Sequence, residues 1–140
     1  MAYLLDTNVL SELRKGERAA PGVMSWFREV AVEEIFLSVL VIGEIRRGIE
    51  LTRRKDPSTA YNLDRWLTGL LQQYESQILP VSAEIADRWG RLCLTQPLPS
   101  VDGLLAATAL EHDLILATRN VRDIHRAGVQ WLNPFETPSA

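Results

Sequence analysis

The stretch Tyr3-Leu4-Leu5-Asp6-Thr7-Asn8-Val9-Leu10 decides how this chain reads. Residues 3–5 are apolar or aromatic, a run that suits a strand buried in a parallel sheet. The run stops at a carboxylate. Thr7 and Asn8 can cap or turn the chain, and Val9, Leu10 and Leu13 follow at helical spacing until Gly16 closes the segment. Asp6 is thus predicted at the carboxyl end of a strand and just before a helix, where open α/β sheets bind ligands. The same sequence is also what a plain helix cap requires, so other carboxylates at equivalent places have to decide between the two.

Working outward, Pro21 opens a second helical stretch with Val23, Trp26, Phe27 and Val30 on one face. Ile35 to Ser38 reads as the second strand and Val39 to Lys55 as the helix after it. Glu44 then lies about a turn and a half into that helix. Pro57 starts an amphipathic helix carrying Leu63, Trp66, Leu67, Leu70, Leu71 and Tyr74. Ile78 to Val81 is a third strand, which Pro80 confines to an edge or a terminus. A further helix presents Ile85, Trp89, Leu92 and Cys93 on one face, and Pro97 and Pro99 end it. Ser100-Val101-Asp102 opens a helix that is small or apolar nearly all round, hence buried. Leu114 to Thr118 is the fourth strand, followed by Arg119 and Asn120, and Val129 to Leu132 the last.

Composition narrows the class. A chain of 140 residues, 46% hydrophobic, makes one domain with material for a proper core. Asp6 interrupts the first apolar run and no basic region precedes it, so no signal peptide is expected. The apolar stretch around Ile35 to Gly43 is far short of the roughly 20 residues that span a bilayer. Cys93 is alone, which excludes an intrachain disulfide and argues against a cysteine zinc site. The expectation is a soluble, cytoplasmic protein. Its net charge of −3 does not announce a nucleic-acid binder. Only Lys15 and Lys55 among the 15 basic residues are lysines, and the excess of Arg suits bidentate phosphate contacts.

Strands alternating with helices mean a mainly parallel sheet with helices on both faces. Asp6, Glu44 and Asp102 then fall at strand ends or first helical turns, with a polar fourth position at Asn120 or Asp123. Grouped carboxylates repel one another and cost stability unless a cation joins them. Oxygen donors favour Mg²⁺ or Mn²⁺ over zinc, and His112 and His125 have no metal spacing. Such a site can activate a water for in-line attack on a phosphodiester. No Gly-rich phosphate loop or GxSxG elbow is present.

Four segments in order resemble the PIN-domain ribonucleases, and specifically the VapC-type toxins of type II toxin–antitoxin pairs. They are residues 4–14, Leu37-Ser38 through Gly43-Glu44-Ile45-Arg46-Arg47-Gly48, residues 102–109, and Ala117-Thr118-Arg119-Asn120. The resemblance spans nearly the whole chain. It implies a single PIN domain over residues 1–140, a three-layer α/β/α sandwich on a mainly parallel sheet of about five strands. It implies a metal-dependent endoribonuclease acting as a toxin, a homodimer silenced by a cognate antitoxin. It assigns Mg²⁺ or Mn²⁺ to Asp6, Glu44 and Asp102, with Thr7 and Thr118 as supporting hydroxyls. Many relatives carry a fourth acid where this chain has Asn120, and the amide removes one charge and weakens a second metal.

Several alternatives stay open at this level. Asp123 either compensates for Asn120 or caps a turn. Arg46 and Arg47, with the later Arg53, Arg54 and Lys55, form either a solvated face interleaved with Glu50 or an RNA track. Arg119, beside the expected site, suits a phosphate contact. Two rival functions remain. One is an RNA- or partner-binding module with decayed acids. The other is a haloacid-dehalogenase-like phosphatase, whose second Asp would stand at Asn8.

Overall fold

The computed structural model describes residues 1–92 and 98–136; Cys93 and Pro97 lie outside them. Strand β1 (Tyr3–Leu5) runs into helix α1 (Thr7–Leu13), and α2 (Pro21–Glu29) follows with Pro at its first turn. Then come β2 (Ile35–Ser38), α3 (Val39–Arg53), α4 (Pro57–Gln73) and the short β3 (Ile78–Leu79). Helices α5 (Ala83–Leu92) and α6 (Ser100–Glu111) lead to β4 (Ile115–Ala117), the one-turn α7 (Val121–Ile124) and β5 (Trp131–Leu132).

All five strands are parallel, in the order β3-β2-β1-β4-β5. Tyr3 stands between Ile35 and Ile115, and Leu5 pairs with Ala117. The chain builds outward from β1 to β2 and β3, then returns to the other side of β1 for β4 and β5. Right-handed crossovers therefore lay α1 to α4 over one face and α5 to α7 over the other. The packing agrees: α3 lies against α1 and α4, and α6 against α5 and α7. The strand order reverses between β1 and β4, and the crevice beyond their carboxyl ends is where such sheets bind ligands.

Burial follows the sequence pattern. Leu4, Leu5, Leu37 and Leu116 are wholly enclosed in the sheet, and Ala106, Ala107 and Ala109 let α6 approach it closely. Pro80 follows the edge strand β3, as a residue lacking an N–H must. The strands are shorter than their apolar runs. Asp113, at φ 54°, turns the chain out of α6, and the Leu114 amide is still donating to Ala109 O, so β4 begins only at Ile115. The basic run on α3 is partly folded into the surface. Arg46 and Arg53 both pair with Glu50 and reach across to Asp64 of α4, a solvated network that ties the two helices.

Candidate functional site

Asp6 closes β1 and caps α1 at once. Its backbone N–H donates to Ala117 O of β4, continuing the sheet, while its carboxylate Oδ1 accepts from Val9 N at 2.9 Å. The cap is therefore formed by Oδ1 alone, which leaves the second oxygen to face elsewhere. Oδ2 accepts a 2.6 Å bond from the Thr118 hydroxyl, which the neighbouring strand end delivers. Thr118 also accepts from Asn120 N at 2.9 Å. Asp6 and Thr118 are both buried.

Glu44 arrives from the second turn of α3, and its carboxylate accepts from the Thr7 hydroxyl. Asp102 sits in the first turn of α6 and accepts a 3.0 Å bond from the Asn120 side-chain amide. Asp6, Glu44 and Asp102 line one cavity of about 180 Å³ with Thr7, Asn8 and Leu105. Among the described residues none of the three acids forms an ion pair.

The electrostatics record this crowding. Burial pushes Asp6 above the ordinary carboxylate range; the Thr118 hydroxyl and the Val9 amide oppose it, and the charge of Asp102 adds to it. Asp102 is likewise raised, first by burial and then by the charges of Glu44 and Asp123, with the Asn120 amide opposing. Asp123, on α7, is therefore close enough to be felt at Asp102. Burial and like charge are the conditions that a cation would relieve.

The hard oxygen donors suit a Mg²⁺-like ion in chemistry and in location. Their present spacing is wider, since no three acidic, His or Cys side chains among the described residues stand together as a ready metal cage. The larger depression of about 480 Å³ between α5 and α6 mixes its carboxylates with Arg88 and Arg91. Two of its three carboxylates are taken up in the pairs Arg88–Glu111 and Arg91–Asp87, each at 3.1 Å, which leaves Glu84 as the single lining acid outside an ion pair among the described residues.

The other candidates fall in different places. The Arg119 guanidinium stacks 3.8 Å over the Phe135 ring and also feels Glu12, and it does not line the acidic cavity. Arg46 is engaged by Glu50 and Asp64, while Arg47 is exposed and makes no ion pair within the described residues. Asn8, which the sequence offers as a turn former, also lines the cavity. Sequence reading missed Arg14. It faces a second cavity, of about 370 Å³, that shares Thr7 and Glu44 with the first. Its position one turn beyond Ser11, on the face of α1 that holds Thr7, was the available signal.

Fold and site together define a small α/β protein with an acidic cleft at the switch point of its sheet. The PIN-domain family model matches residues 3–129. The chain is 28% identical over 138 residues to the VapC ribonuclease Y4jK of Sinorhizobium fredii, covering 95% of this chain and 97% of that protein. It is 28% identical over 137 residues to toxin FitB of Neisseria gonorrhoeae, covering 94% and 97%. A solved FitAB complex bound to a DNA fragment superposes with a TM-score of 0.88 at 26% identity, over 97% of both chains. This chain belongs to the PIN-domain family. Within it, the chain is of the VapC/FitB toxin type.

Proposed function

We propose that Asp6, Glu44 and Asp102 hold a Mg²⁺ or Mn²⁺ ion with which this VapC-type PIN ribonuclease hydrolyses RNA phosphodiesters. The protein is the toxin of a toxin–antitoxin pair. The observation that carries the metal reading is that three carboxylates, from the end of β1, from α3 and from α6, line one small cavity with no ion pair among the described residues. Asp6 and Asp102 are raised first by burial and then by neighbouring carboxylate charge, and a cation would relieve both costs.

When bound, such an ion orients a water, makes it a better nucleophile and offsets charge growing on the phosphoryl oxygen. The chain's own work is to aim the donors. Thr118 holds Asp6, Thr7 holds Glu44, and Asn120 holds Asp102. Asn120 and Asp123 complete the surroundings, with Asp123 supplying the charge that the amide lacks. Arg119 and Arg47 are assigned to RNA phosphate, because Arg46 already has two carboxylate partners. The whole of residues 1–140 acts as one domain, as a homodimer, in the cytoplasm where RNA and antitoxin meet it. Among the described residues no helix is long and apolar enough to cross a membrane. Silencing comes from an antitoxin peptide that enters the acidic cleft and presents an Arg to the carboxylates.

The test is cleavage of total cellular RNA by antitoxin-free protein with Mg²⁺, with EDTA, and with Asp102→Asn. Discrete fragments that need both metal and Asp102 are expected. Intact RNA, together with no Mn²⁺ binding by calorimetry, would leave the second reading, a non-catalytic binding module. Asn120 is the feature that favours it. Sedimentation showing only monomer at micromolar concentration would remove the dimer.

A further inference from the structure

Beside the acidic cavity lies a groove of about 370 Å³ walled by three helices. Each wall is one helical face at i, i+4 spacing, as in Thr7 and Ser11 on α1 or Glu44, Gly48 and Thr52 on α3. The floor is apolar, built from Ile45, Ile49, Leu63 and Trp66. Its volume lies within the roughly 300–1,000 Å³ of small-molecule sites. The groove adjoins the acidic cavity, because Thr7 and Glu44 line both.

We infer that this groove is the nucleobase subsite of the nuclease, taking one base next to the scissile phosphate. The inference rests on the acidic cavity being the cleavage site. A ligand seated against the apolar floor has Glu44 as its immediate neighbour, so whatever it carries on that side reaches the acids first. A nucleotide matches this layout from end to end. Its base has two flat faces for Trp66 and the aliphatic floor, and polar edges for the Ser11 hydroxyl, which makes no hydrogen bond within the described residues. Its flanking phosphate meets Arg14, which is exposed and lacks a carboxylate partner among the described residues. The arginines of α3 contrast with it, Arg46 and Arg53 being spent on Glu50 and Asp64.

Gly48 provides a clean way to close the groove. A Cβ built there meets no atom within 4 Å, so a larger side chain can leave the helix at this position without its first atom displacing a neighbour. Gly48→Phe is expected to fill the subsite while keeping the fold, which its unfolding transition checks. Trp66→Leu is the second variant and removes the stacking face while keeping apolar bulk.

Binding is read by fluorescence anisotropy of a labelled tetranucleotide to the Asp102→Asn protein, so that no cleavage is needed. Both variants are expected to weaken binding, by roughly tenfold or more for the lost stacking. In active protein, Gly48→Phe is expected to raise KM more than it lowers kcat and to flatten the base preference beside the cut. Unchanged tetranucleotide affinity in both folded variants overturns the subsite even if the enzyme cuts RNA. So does loss of antitoxin binding alone with RNA binding intact, which would make the groove a protein-docking surface. If wild-type protein fails to cut yet both variants lose tetranucleotide binding, the cleavage reading falls and the base site stands.

Discussion

Thr118→Val isolates the bond on which the site's geometry depends. The substitution keeps the shape of a buried side chain and removes only the hydroxyl that donates to Asp6 Oδ2 at 2.6 Å. A hydrogen bond to a charged acceptor contributes about 1.5–3 kcal/mol. The same hydroxyl accepts from Asn120 N at 2.9 Å, and an amide left without an acceptor costs about 1–3 kcal/mol more when fully buried. Asn120 is only half-buried, so water recovers part of that and the expected loss is about 2–4 kcal/mol. A domain with a total stability of about 5–15 kcal/mol will show it clearly. The pH dependence has a definite sign. Asp6 titrates above its ordinary value, so the native state binds its proton more tightly than the unfolded chain does. Its ionised form therefore costs stability as pH rises through the folded pKa. Thr118 supports that ionised form, so losing it raises Asp6 further and the penalty grows from acid to alkaline pH. The assay is urea unfolding in EDTA at about pH 5 and about pH 8, in the wild-type and Asp6→Asn backgrounds. An equal cost in both backgrounds, or one indifferent to pH, would refute the assigned role.

Other expectations follow from the same geometry. Asp102→Asn should abolish RNA cleavage and raise the stability of metal-free protein near pH 8, because it removes a half-buried charge disfavoured first by its partial burial and then by Glu44 and Asp123; unfolding curves check the sign. Mn²⁺ should raise the melting temperature, and more strongly at about pH 8 than at about pH 5, because protons compete for Asp6 and Asp102. A metal effect that ran the other way with pH would count against the carboxylate ligands. Asn120→Asp should tighten Mn²⁺ binding in calorimetry and lower metal-free stability, since it exchanges a donor to Asp102 for a fourth negative charge. Asp64→Asn, which breaks a solvated network between α3 and α4, should leave cleavage unchanged and lose its small effect on melting in high salt.

The periodicities were enough to place every strand and most helix bounds, because each parallel strand is an apolar run flanked by turn chemistry. Pro21 and Pro57 mark the helix starts at α2 and α4, and the apolar residues of α6 mark its burial. Strand lengths were less legible, since ladder pairing depends on the partner: Leu114 belongs by composition to β4 but spends its amide on α6. Asp6, Glu44 and Asp102 were legible as acids at equivalent positions. That Asp6 would cap α1 through Oδ1 and accept the Thr118 hydroxyl through Oδ2 was not.

What the sequence determined by itself is the alternation that makes a parallel α/β sheet and the residue types that gather at its carboxyl edge. Local spacing carries that information, because helix and strand repeats act over a few residues. The tertiary structure alone decided the rest. Residues 112 positions apart meet in the Thr118–Asp6 bond, and Arg46 is paired with an aspartate 18 residues on. Arg14, Gly48 and Trp66 become one groove only when three helices pack together. Such contacts depend on how crossovers fold the chain over the sheet, and no local period in the sequence encodes that.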